Sequence, residues 1–257
     1  MCLIVFSISK KKNFNIPGSR FSINLMANRD EYYERPTSSM DWWNDKPILA
    51  GRDEQAGGTW LGVSKDGRFA AITNYKEEGS PAKYELSRGK LITDFLEEKG
   101  LSAREYLASL KGDSFSGFNL LVSDFEGVHS YSNRRKGIET VTEGVHALGN
   151  RFLNSNTKKV IKIKSDFTEF KKFPTNKEFA FKMMSESSGH LEAETQAELK
   201  KHDYQEIPYR FITSNFYGTR CTTLLTMDGS GKINASEQNY LEGGRVGQRK
   251  DFEFVIS

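Results

Sequence analysis

Thr59-Trp60-Leu61-Gly62-Val63-Ser64-Lys65-Asp66-Gly67-Arg68-Phe69-Ala70-Ala71-Ile72-Thr73-Asn74 reads as a β-hairpin. Two short runs rich in aromatic and aliphatic residues flank Asp66-Gly67, a pair that tolerates the positive φ angles of a tight turn. A hairpin implies antiparallel pairing. Upstream, Cys2–Ile8 is a short apolar run read as a buried strand. Lys10–Arg20, with Pro17-Gly18, is a turn or loop, and Phe21–Ala27 is a second strand that delivers Asn28-Arg29-Asp30-Glu31 at its end. The stretch holding Pro36, Trp42-Trp43 and Pro47 reads as a loop leading into the hairpin.

Downstream, Leu86, Leu91, Ile92, Phe95 and Leu96 fall on one helical face, and Ser102 is placed to cap a second helix carrying Tyr106, Leu107 and Leu110. Strands return at Phe118–Ser123, Val128–Ser132, Ile138–Val141 and Val145–Gly149, with a turn at Glu126-Gly127. Two or three helices are expected over about residues 156 to 200. The first is amphipathic, with a solvated lysine face opposite Val160, Ile161, Ile163 and Phe167. Cys221–Met227, Lys232–Glu237 and Phe252–Ile256 close the chain as strands. Hairpins throughout, with helices in separate blocks, point to an α+β protein: a four-layer αββα sandwich of antiparallel sheets, with residues 1–257 as a single domain.

Totals exclude several classes of function. A net charge of +3 over 257 residues is not the concentrated basic footprint of a nucleic-acid binder. No apolar run approaches the roughly 18 residues of a membrane-spanning helix, so no integral membrane segment is expected. The lysines near the N-terminus follow the first apolar run, the reverse of a signal peptide. Two cysteines make no disulfide framework, and the chain reads as a cytoplasmic protein in a reducing compartment. The sequence carries no sign of its oligomeric state. The histidines lack a ligand spacing such as His-x-x-x-His, so no metal site is expected.

Chemistry gathers at the first strand. A small residue at position 2 permits removal of Met1, which would leave a free α-amino group on Cys2 itself. Such an amine, with an ordinary pKa near 7.7–8.0, can take the thiol proton directly or through one water. Arg29, at the end of the neighbouring strand, would stabilise a thiolate, and Asp30 could hold the arginine or the amine. Asn74 and Asn150 each end a strand-like run, where a side-chain amide can donate to a developing oxyanion.

As a set these residues resemble the NRDE family, which includes the transport and Golgi organisation proteins. The resemblance is carried by Met1-Cys2-Leu3-Ile4, Ala27-Asn28-Arg29-Asp30-Glu31 and Ala50-Gly51-Arg52-Asp53. It continues through Gly57 to Val63, Phe69 to Tyr75 and Tyr217-Gly218-Thr219-Arg220. It implies the fold of the N-terminal nucleophile hydrolases, whose members similar to choloylglycine hydrolase cleave linear amides with an N-terminal cysteine. It also implies Cys2 as nucleophile and base, Arg29 and Asp30 beside it, Asn74 and Asn150 positioning the oxyanion or amine, and Arg220 as a second arginine. One departure stands out: those acylases separate their Arg and Asp by two residues, whereas Arg29 and Asp30 are adjacent and should face opposite sides of a strand. The function expected is that of an amidohydrolase or acyl-transfer enzyme acting on a small amide or acyl substrate, with no cofactor. The alternative is a non-enzymatic carrier or trafficking protein for haem, an acyl lipid or acyl-CoA; Trp42, Trp43 and Trp60 are available to line its pocket, although aromatic residues mostly fill cores. Haem would need an axial ligand from among Cys2, His129, His146, His190 and His202.

Overall fold

The computed structural model describes residues 2–10, 21–77, 86–170, 176–186, 188–190 and 207–256. In chain order come β1 (Cys2–Ser9), β2 (Ser22–Tyr32), β3 (Thr37–Trp42), β4 (Ile48–Asp53), β5 (Leu61–Ser64) and β6 (Phe69–Asn74), then helices α1 (Gly89–Glu97) and α2 (Ala103–Ser109). β7 (Phe118–Ser123), β8 (Val128–Ser132), β9 (Ile138–Thr140) and β10 (Gly144–Leu148) precede α3 (Lys158–Phe170) and α4 (Lys177–Ser185). The chain ends with β11 (Ser188–His190), β12 (Phe211–Thr213), β13 (Tyr217–Met227), β14 (Lys232–Tyr240) and β15 (Val246–Val255). The loop expected at Lys10–Arg20 lies outside the described residues except for Lys10.

One large sheet runs β10-β1-β2-β13-β14-β15 and a second β3-β4-β5-β6-β7-β8-β9, both antiparallel, while β11 and β12 pair in parallel as a separate two-stranded sheet. Alternation decides the layers. Ile4, Phe6, Leu25 and Leu225 of the first sheet meet Leu49, Leu61, Ala71 and Leu121 of the second in the central core. Leu3, Val5, Met26 and Leu224 point the other way, onto Val160, Ile163 and Phe167 of α3 and Phe181 and Met184 of α4. On the far side Ile48, Ala70, Ile72 and Leu120 pack against Leu91, Phe95 and Leu96 of α1 and Leu107 of α2. The protein is therefore the expected four-layer αββα sandwich of antiparallel sheets. No helix among the described residues is long and apolar enough to cross a membrane.

Three local expectations change. β2 continues through the charged tetrapeptide to Tyr32, because Asn28 and Asp30 each find hydrogen-bond partners inside the protein. Asn28 Nδ2 donates to the carbonyls of Met184 (3.0 Å) and Arg210 (2.8 Å), and its Oδ1 accepts from Thr222 (2.6 Å). The stretch from Pro36 to Pro47 is not simply a loop: it contains β3 and ends just before β4. Its strand pattern is masked by exposed polar residues on an edge strand and by an irregularity between Ser38 and Asp41. Along α3, Lys159 is buried while Ile161 is 57% exposed, so the lysine face is not wholly solvated.

Candidate active site

Cys2 heads β1 and pairs with Arg29 of β2, which pairs on its other side with Cys221 of β13. Partners in antiparallel register point to the same face, and Cys221 belongs to the central core. Cys2 and Arg29 thus look into the sandwich at the end of the first sheet. The Arg29 guanidinium is buried and held from three directions. It donates to Thr37 Oγ1 (3.1 Å), lies 3.9 Å from the Glu31 carboxylate, and stacks 4.2 Å above the Trp60 ring. A pre-set guanidinium of this kind favours a thiolate nearby.

The adjacency of Arg29 and Asp30 resolves as alternation requires, without a turn of the backbone. The Asp30 carboxylate lies on the opposite face, accepting from Thr219 Oγ1 (2.7 Å) and close enough to Lys159 of α3 to feel its charge. Burial pushes the Asp30 carboxyl up, against the pull of Lys159 and Thr219. Asp30 still reaches Cys2, through its backbone N–H donated to the sulfur. Burial likewise pushes the Cys2 thiol up; the Asp30 carboxylate adds to this, while the Asp30 N–H and Arg29 oppose it.

A cavity of about 130 Å³ opens here, lined by Cys2, Arg29, Asp30 and Asn74 together with Trp60, Arg35 and Arg88. Asn74 is half-buried, and its side-chain amide makes no hydrogen bond among the described residues. Asn150 stands behind it and outside the lining: its Nδ2 donates to the Asn74 carbonyl (2.9 Å), and its own carbonyl accepts from the Lys76 N–H (2.8 Å). Asn150 therefore braces the Asn74 backbone. Arg220 also stands outside the lining. It is the extra residue of a bulge in β13, and its Nη1 donates to the carbonyls of Tyr32 (2.8 Å), Tyr33 (3.3 Å) and Arg35 (3.2 Å). Its place is under the turn that presents Arg35, whose guanidinium grips Asp53 through two nitrogens at 2.9 and 2.7 Å.

Sequence reasoning did not find Arg35 or Arg88. Arg88 immediately precedes α1, and the helix start reaches the cavity only because Gly58 and Gly89 touch. A Cβ on Gly58 would meet the Gly89 carbonyl carbon at 2.5 Å. Nothing in the spacing of isolated glycines signals that contact. The tryptophans weighed as pocket lining belong mostly to packing. Trp43 and Trp60 are buried in separate clusters, and Trp42 meets Phe254 edge-on. His129 bonds Thr140, His146 bonds the Thr142 carbonyl, and His202 lies outside the described residues.

Residues 1–242 match the family described as Transport and Golgi organisation 2. The Transport and Golgi organization 2 homolog of Mus musculus is 28% identical over 264 residues, covering 94% of each chain. The Homo sapiens homolog matches to the same extent. Among solved structures, the chain is similar to a Caenorhabditis elegans ortholog of N-acylethanolamine-hydrolyzing acid amidase, at 10% identity and a TM-score of 0.47, covering 88% of this chain and 93% of that one. It is also similar to a mutant conjugated bile acid hydrolase from Clostridium perfringens, at 10% identity and a TM-score of 0.43, over 99% and 98% of the two chains.

Proposed function

The chain belongs to the Transport and Golgi organisation 2 family, and on that footing we propose that it is an N-terminal-cysteine amidohydrolase or acyl-transfer enzyme acting on a small amide or acyl substrate. The observation that carries this reading is the pairing of Cys2 with a clamped Arg29 at the mouth of a small cavity. With Met1 removed, the α-amine of Cys2 takes the thiol proton as sulfur attacks the substrate carbonyl. The Asn74 amide donates to the oxygen that becomes negative. As the C–N bond breaks, the α-ammonium returns the proton to the departing amine, leaving a thioester on Cys2. Water or a second nucleophile then releases the acyl group, its proton again taken by the amine. No cofactor enters these steps.

Intact mass and a thiol-directed acyl probe test the proposal together. The expected result is a chain lacking Met1 that gains one acyl mass at Cys2, and a Cys2→Ala variant whose labelling falls by about a hundredfold or more, as expected for loss of a nucleophile. An active form that retains Met1, or labelling that persists in Cys2→Ala, would sink it.

A further inference from the structure

The cavity beside Cys2 holds three arginines, and their carboxylate partners are unequally shared. Arg35 is bonded twice to Asp53, and Arg29 lies against Glu31. Asp30, the third carboxylate of the lining, faces Thr219 and the charge of Lys159 on the other side of the sheet. Arg88 has no carboxylate within ion-pair distance among the described residues. Its Nη1 donates to the Gly117 carbonyl (3.0 Å), while Nε and Nη2 have no acceptor among them. No acidic side chain sits in the first turn of α1, which follows it. Burial weakens the hold of Arg88 on its proton, and the Cys2 thiolate is the first of the negative charges that offset this.

We infer that Arg88 is a specificity residue, and that the substrate carries a carboxylate within a few bonds of the carbonyl that Cys2 attacks. This rests on the proposed use of Cys2. The free Nε–Nη2 edge of a guanidinium presents two parallel N–H donors, which match the two oxygens of a carboxylate. The site is small, about 130 Å³, so a compact anion fits it beside the reacting group.

Two alkylating reagents test this without turnover. The same thiolate displaces iodide from iodoacetate and from iodoacetamide, so the ratio of their rates at Cys2, followed by peptide mass, cancels any change in thiol pKa. Only the first carries a carboxylate next to the reacting carbon. The ratio at Cys2 is expected to exceed that of free cysteine by about tenfold, the scale of one charge-assisted hydrogen bond. It should fall to the free-cysteine value in Arg88→Gln and return substantially in Arg88→Lys. Added butyrate should slow alkylation of the wild-type chain more than inorganic phosphate does. An unchanged ratio in a folded Arg88→Gln, or stronger protection by phosphate, overturns carboxylate recognition. The two ideas fail separately: a Cys2 that never takes an acyl group sinks the hydrolase reading whatever the ratio, and an unchanged ratio sinks the role of Arg88 whatever the turnover.

Discussion

Asn28 and Arg29 are adjacent in sequence and work in different layers. Asn28 ties the end of α4 and the Arg210 backbone to the first sheet through two buried hydrogen bonds, and accepts a third from Thr222 of the neighbouring strand β13. Truncation would leave two carbonyls without this partner, and unmet buried groups cost about 1–3 kcal/mol each before relaxation. Asn28→Ala should therefore lower the unfolding free energy by roughly 2–4 kcal/mol in a urea titration. Arg29 faces the site, where its charge favours the Cys2 thiolate. Removing that charge in Arg29→Met should move the pH midpoint of Cys2 alkylation by iodoacetamide upward. A midpoint that stays put or drops would detach Arg29 from the thiol.

At the scale of elements, the Gly58–Gly89 contact decides whether α1 reaches the cavity. Gly58→Ala puts a methyl carbon onto backbone, and overpacking of this kind costs about 1–3 kcal/mol. We expect lower stability, together with a lower iodoacetate-to-iodoacetamide ratio at Cys2, since Arg88 moves with the helix start. The Ser102 cap of α2 was legible in advance, and the structure adds its partner: Ser102 and Glu105 bond each other's N–H groups, and Ser102→Ala should cost about 1 kcal/mol in the same urea titration. The hairpin at Asp66-Gly67 was equally plain, with Gly67 at φ 83°. Period-2 burial and a turn residue are local signals, and they survive in sequence. β3 left little trace, because an edge strand with Ser38 and Asp41 exposed looks like a loop. Cys2 opposite Arg29 followed from strand order, whereas the bulge that diverts Arg220 and the glycine contact that delivers Arg88 are tertiary events without a local code.

Across the whole molecule, Glu237 joins the sheets. It sits buried on β14, its Oε1 accepts the Met40 N–H of β3 (2.7 Å), and its Oε2 accepts from Thr223 (3.2 Å). Burial pushes its carboxyl up, and with Glu237 burial pushes the Cys221 thiol well up. The folded state then holds the Glu237 proton more tightly than the unfolded chain does. This contribution to stability is fullest below the ordinary glutamate range and is lost as pH rises through the raised folded value. Glu237→Gln should flatten that decline, seen as a smaller drop in Tm between acid and mildly alkaline pH. A parallel shift at every pH would mean that Glu237 titrates normally. The alternation along β2 has a further consequence, in the history of the family. On the proposed reading, selection for chemistry acts on Arg29, while selection for folding acts on Asn28. Descendants that abandoned the reaction but kept the sandwich will have lost the arginine and retained the asparagine. A tetrapeptide decayed at its second letter then marks a retired enzyme, and one decayed at its first marks a fold that had to find another brace.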